Sequence, residues 1–102
     1  MSKRNATKAE RDHMARVAEL SCVLCTRLGQ EQWSRTTVHH LREGQGGAQR
    51  ADHFLTIALC EDCHQNSRLG LHGDRTLLRI ANCDELDLLA DTLRALSARW
   101  AA

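Results

Sequence analysis

Apolar residues recur along this chain with two different periods, and each change of period marks a new element. Met14, Val17 and Ala18 lie at helical spacing in an otherwise polar stretch, as on one face of an amphipathic helix. Thr7-Lys8-Ala9-Glu10 in front of them reads as a capping box, so a helix is predicted over 8–20. From Gln32 to Leu41 the pattern turns strand-like, with β-branched Thr36, Thr37 and Val38 just before two histidines. Residues 42–52 carry Gly44, Gly46 and Gly47 among polar side chains and read as a loop. Phe54 to Leu59 is a second, short apolar strand, so the two strands are expected to form a hairpin with that loop at its tip. A helix is expected from Glu61 to Arg68, ended by Gly70, and a short one from Thr76 to Ala81. Asp84 can cap a last helix, with Asp87 at its third position. Leu86, Leu89, Leu93, Leu96 and Trp100 recur there at helical spacing and are expected to form its buried stripe, in the core or in a dimer seam.

These elements describe an α+β chain with a core at about 20–75, an N-terminal helix over 8–20 and C-terminal helices over 76–100. At 102 residues it is expected to be a single domain spanning 1–102. Aromatic residues make up only 3% of it, so the core rests on Leu, Ala, Val and Ile and is small enough for a structural metal to matter. No apolar run approaches the length of a membrane span, and no signal peptide is evident. With the polar start Met1-Ser2-Lys3-Arg4, the expectation is a cytoplasmic protein without membrane association. The net charge of +1 does not by itself announce nucleic acid, but its distribution is uneven. Residues 1–50 hold nine Lys/Arg against five Asp/Glu, and residues 51–102 hold five against eight. Most of the basic residues are Arg, whose planar fork suits phosphate.

The cysteines change the picture most. Cys22-Val23-Leu24-Cys25 and Cys60-Glu61-Asp62-Cys63 are two CxxC knuckles separated by 34 residues. Each turn brings two sulfurs within reach of one ion, and four thiolates close a tetrahedral zinc site with no open coordination position. Such a site is structural, worth roughly 10–16 kcal/mol in apparent terms. Cys83 falls outside the pattern and reads as a small buried hydrophobe.

The histidines are then left over as a second constellation. His13 stands alone in the first helix and reads as a surface residue. His39 and His40 end the first strand, His64 follows the last zinc-site cysteine, and His72 lies within Gly70-Leu71-His72-Gly73. Together His39, His64 and His72 could form a facial set for a second metal, with His40 left as a base. Taken singly, each is as well explained as a packed structural histidine.

A first CxxC, a His-His pair, a Gly-rich loop, a strand ending in CxxCH and a following helix resemble the HNH nucleases. The run from Val38-His39-His40-Leu41-Arg42 through Asp52-His53-Phe54 and Leu59-Cys60-Glu61-Asp62-Cys63-His64-Gln65 to Gly70-Leu71-His72-Gly73-Asp74 is similar to the phage recombination-enhancement nucleases, the Ref family, and their small phage-derived relatives. The resemblance spans about residues 20–95. It implies a zinc-stapled, treble-clef-like ββα-metal core and a metal-dependent DNA endonuclease. His39 matches the hairpin metal ligand, His40 the general base and His64 the helix metal ligand. The middle Asn of the motif is not matched, since its position is Leu55. His53, two residues earlier and so on the same strand face, is the candidate substitute.

The implied chemistry is hydrolysis of a phosphodiester bond. A divalent ion on His39, His64 and His72 grips the phosphate, His40 takes a proton from the attacking water, and the products carry 5′-phosphate and 3′-hydroxyl ends. Nitrogen ligands suit Zn, Ni or Mn, and Mg fits if water completes its shell. Arg42 and Arg50 flank the Gly-rich loop and are expected to contact DNA backbone. The expected partners are DNA and a recombination filament protein. A zinc-stapled nucleic-acid-binding or adaptor module without catalysis is the alternative, and an interaction protein using the leucine stripe is a third reading.

Overall fold

The computed structural model describes residues 5–44, 51–65, 71 and 75–100. In chain order these form helix α1 (Lys8–Ala18), helix α2 (Val23–Leu28), strand β1 (Thr36–His40), strand β2 (Thr56–Cys60), and helices α3 (Glu61–Gln65), α4 (Thr76–Ala81) and α5 (Glu85–Arg99). The fold is a small α+β arrangement in which one antiparallel two-stranded sheet is flanked by helices.

The hairpin sets the register of everything chemical. Thr36 pairs with Cys60, Thr37 with Leu59, Val38 with Ala58, His39 with Ile57 and His40 with Thr56. Every residue of β2 is buried. Alternation divides its side chains between two small cores. Ile57 and Leu59 join the cysteines, Leu24, Leu41, Leu78, Leu88 and Leu89, and Cys60 enters the same cluster at the strand's end, where the chain turns into α3. Ala58 meets Val17 and Leu20 from the α1 side. A strand covered on both faces reads as a continuous apolar run, and Ile57-Ala58-Leu59-Cys60 is one.

Several boundaries differ from the sequence reading, α1 ending at Ala18 rather than at 20. The first strand begins at Thr36 rather than Gln32, because Gln32 is occupied elsewhere. Its Oε1 accepts the Cys22 N–H (2.7 Å) and its Nε2 donates to Ser34 O and Thr36 Oγ1 (both 2.8 Å). The second strand begins at Thr56, and residues 52–55 make a turn closed by Leu55 N–H on Asp52 O (2.9 Å) and Phe54 N–H on Asp52 Oδ1 (2.8 Å). His53 and Leu55 therefore do not share a strand face. The first knuckle, expected as a bare turn, opens helix α2, with Gly29 ending it in the left-handed region at φ 68°, where the missing side chain removes the steric cost.

The capping boxes at Thr7/Glu10 and Asp84/Asp87 both form. The buried stripe of α5 matches the expected one only in part: Leu89 is buried and Leu96 packs against the α1-side core. Its inward face carries Glu85, Leu88, Leu89 and Thr92, while Leu86 and Leu93 are 54% and 45% exposed and Trp100 lies at the surface. Two polar residues hold core positions, so the leucine pattern points about one residue away from the true face. Ala18 is likewise exposed, leaving Val17 to anchor α1. Of the helix expected over 61–68, the part beyond Gln65 lies outside the described residues. His13 is half-buried rather than on the surface, its ring 5.0 Å from that of Phe54. Among the described residues no helix is long and apolar enough to cross a membrane.

Candidate functional site

The two knuckles bring their sulfurs together. The Sγ atoms of Cys22, Cys25, Cys60 and Cys63 all lie within 4.8 Å of one another and all four residues are buried. Cys25 Sγ is 3.7 Å from Cys60 Sγ and 3.8 Å from Cys63 Sγ. A tetrahedron with zinc–sulfur bonds of about 2.3 Å has edges of about 3.8 Å, so the donor set can hold a zinc ion.

Local structure prepares these sulfurs. Cys22 is the N-cap of α2 and its Sγ accepts the Cys25 N–H (3.4 Å), while Gln30 Nε2 donates to Cys25 Sγ (3.4 Å). The hydrogen bond from the Cys63 thiol, with help from backbone amides, pulls the Cys22 thiol down to about 5 despite its burial. Burial first, and then the charge on Cys22 and the thiol contacts with Cys22 and Cys60, push Cys25 up to about 11 against the opposing hydrogen bond from Gln30. The shared hydrogen bond to Cys22 pushes Cys63 upward as well. Crowded thiols cannot all ionise without a cation, so metal entry releases protons.

Cys83 is partly buried against the same core and takes no part in the cluster. Burial raises its thiol pKa above the ordinary value.

Beside this cluster the histidines divide into two pairs. His39 from β1 and His64 from α3 are both buried, with ring centroids 4.8 Å apart and planes at 90°. Each has one ring nitrogen tied down. Thr37 Oγ1 donates to Leu59 O (2.8 Å), so it accepts at 2.8 Å from His64 Nδ1–H. His39 Nε2 lies 2.5 Å from Glu85 Oε2, and both side chains have zero exposure. His39 Nδ1 is also buried and takes no hydrogen bond from the described residues.

Glu85 is fixed in turn. Its Oε1 accepts the backbone N–H groups of Arg42 (3.0 Å) and Glu43 (2.8 Å), with Arg75 Nη2 at 3.7 Å. Burial alone would raise its pKa. The hydrogen bond from His39, the two amides and the charge of His39 outweigh burial and hold the carboxyl below its ordinary value.

His40, the next residue, turns to the other pair: its Nε2 lies 2.9 Å from His53 Nδ1, with the rings 5.1 Å apart. His53 reaches it from the turn before β2. Arg42 is exposed at the base of the hairpin loop. His72 and Arg50 lie outside the described residues. Among the described residues the four cysteines are the one group of three or more metal-ligating side chains close enough to share an ion.

Sequence reading missed Glu85, Thr37 and Gln32. Glu85 follows the N-cap Asp84 and has a sufficient local explanation as a first-turn acid. Thr37 has one as a strand former. Only the three-dimensional pairing shows that Glu85 and Thr37 each hold a histidine and that Gln32 holds the Cys22 amide.

No family model, curated protein or solved structure matches the chain.

Proposed function

We propose that this chain is a zinc-stapled, metal-dependent DNA endonuclease of the HNH type, acting in phage or prophage DNA processing. The observation that supports it best is the His39–His64 pair. One residue comes from the hairpin and one from the helix after the second knuckle, and each is held through one ring nitrogen by a hydrogen-bonding partner. Metal-ligating histidines characteristically donate their second ring N–H in this way.

In this reading the cysteine cluster holds a structural zinc and His39 and His64 hold a divalent ion. That ion, when bound, supplies Lewis-acid stabilisation of the charge that develops on the phosphate. His40 is the general base, taking a proton from the water that attacks in line, and His53 orients its ring. Arg42 binds a neighbouring backbone phosphate, a contact that positions the duplex without reading its sequence.

Trp33, 83% exposed, stands two residues from exposed Arg35. This favours a second reading, a binding module whose aromatic and basic side chains stack on and neutralise nucleic acid.

One experiment separates the two. Plasmid and single-stranded DNA are incubated with the zinc-loaded protein across Mg²⁺, Mn²⁺, Ni²⁺ and Zn²⁺. The nuclease reading expects metal-dependent cutting that His64→Ala abolishes while the cysteine-site zinc is retained. A protein that shifts DNA in a gel with every metal and cuts with none is the binding module.

A further inference from the structure

We infer that Glu85 is a positioning residue for the His39–His64 site: its carboxylate holds His39 as the Nε2–H tautomer and aims the Nδ1 lone pair at the bound ion. The inference rests on the metal reading above.

A carboxylate offers only acceptors. With Oε2 at 2.5 Å, His39 Nε2 must carry the proton, and in a neutral imidazole the lone pair then lies on Nδ1. Thr37 does the same for His64 from the opposite side of the ring, leaving the lone pair on Nε2. The two rings, on β1 and α3, thus have their donor atoms assigned by neighbours on β1 and α5.

Glu85 is held too firmly to serve as a ligand itself. It has zero exposure, Oε1 is engaged by two backbone amides, and Oε2 is engaged by His39. A buried carboxylate is costly unless it is fully hydrogen-bonded. This one meets that condition only through the residues just after β1 and the histidine itself. It therefore clamps the start of the hairpin loop and the His39 ring to the first residue of α5 in one contact.

Glu85→Gln tests the assignment sharply because it keeps size and shape. Two N–H donors face Oε1 and one faces Oε2, so the amide oxygen goes to the pair and the NH₂ turns to His39. His39 must then accept at Nε2 and carry its proton on Nδ1, the atom meant for the metal.

The experiment uses the full chain with zinc in the cysteine site. Long-range ¹H–¹⁵N spectra report the imidazole tautomers, and Ni²⁺ alone is titrated calorimetrically with zinc kept saturating. The parent should show His39 protonated on Nε2. Glu85→Gln should show the proton on Nδ1 and bind Ni²⁺ about 10–100-fold more weakly, the usual cost of losing such a partner, with the cysteine-site zinc unchanged.

A parent His39 protonated on Nδ1 overturns the inference. So does a Glu85→Gln protein with parental tautomer and Ni²⁺ affinity. A parent that takes up no Ni²⁺ beyond the zinc overturns the second-metal reading instead, and the tautomer still decides the role of Glu85. Should Glu85→Gln fail to fold, the tautomer in the parent decides alone.

Discussion

His40 and His53 face each other nitrogen to nitrogen at 2.9 Å, a distance at which one of the two must donate. Whichever ring holds the proton, the contact ties the tautomer of one to the other. In the proposed nuclease, that gives His53 an orienting role beside the base His40. Replacing His40 should lower cleavage by roughly 10²–10⁴, the contribution of a positioned base, with zinc content and DNA binding retained. Replacing His53 should cost less, because the base survives and loses only its alignment. Single-turnover rates for His40→Ala and His53→Ala check both statements, and equal losses would mean that the two rings act as one unit. The cysteine cluster was legible in the sequence because each knuckle is written within four consecutive residues. The Glu85–His39 contact was not, since it joins positions 46 residues apart.

Helix α5 shows how two buried polar groups displace a hydrophobic pattern. Thr92 is fully buried, its Oγ1 donating to Leu88 O (2.9 Å) and accepting the Ala58 N–H of β2 (3.3 Å). Together with Glu85 it takes core positions that an apolar periodicity assigns to leucine, so Leu86 and Leu93 come to the surface. Thr92→Val, nearly isosteric, should therefore cost about 1–3 kcal/mol, since it leaves the Ala58 N–H buried without its acceptor. Leu88→Ala should cost about 2–5 kcal/mol. Leu93→Gln should fall within about 0.5 kcal/mol of the parent. Thermal or urea unfolding of the three variants ranks them, and a large loss for Leu93→Gln would place that face in an interface. Short helix α4 was legible end to end, and its C-cap Asn82 sits at φ 53°, a conformation that suits Gly. Asn82→Gly should be neutral or mildly stabilising, and Asn82→Val destabilising.

At the scale of the whole molecule, two kinds of tie between elements add to the packed cores and the buried hydrogen bonds: the cysteine cluster, and ion pairs such as Arg27–Asp91 between α2 and α5 (2.6 Å). Their magnitudes differ widely. A structural zinc is worth roughly 10–16 kcal/mol, comparable to or larger than the 5–15 kcal/mol that a domain keeps in total. An ion pair of this exposure is worth at most about 1 kcal/mol. Chelation or Cys60→Ser should therefore unfold the chain, read as loss of the far-UV helical signal together with the metal. The two ties also respond to acid in different windows. Burial would raise the pKa of Asp91, but hydrogen bonds and charge from Arg27 and Arg94 hold it below 3.8. A carboxyl depressed in the folded state gives stability that is complete above its unfolded value and lost only as pH falls below it. Thiolates give up zinc to protons at higher pH than this, because their ordinary pKa lies near 8.5 and only the metal keeps them all ionised. By the time Asp91 protonates, the zinc has gone and the fold with it. Asp91→Asn should therefore lower stability by up to about 1 kcal/mol at pH 7 and at the zinc-release pH alike, moving the acid-unfolding midpoint upward by only about a few tenths of a pH unit because the multi-proton release of zinc is steep. That midpoint should coincide with zinc release, followed by a chromogenic chelator alongside circular dichroism. An acid midpoint that moves by about one pH unit or more with Asp91→Asn, or unfolding well separated from zinc release, would show that the ion pairs rather than the cysteine cluster hold this fold together.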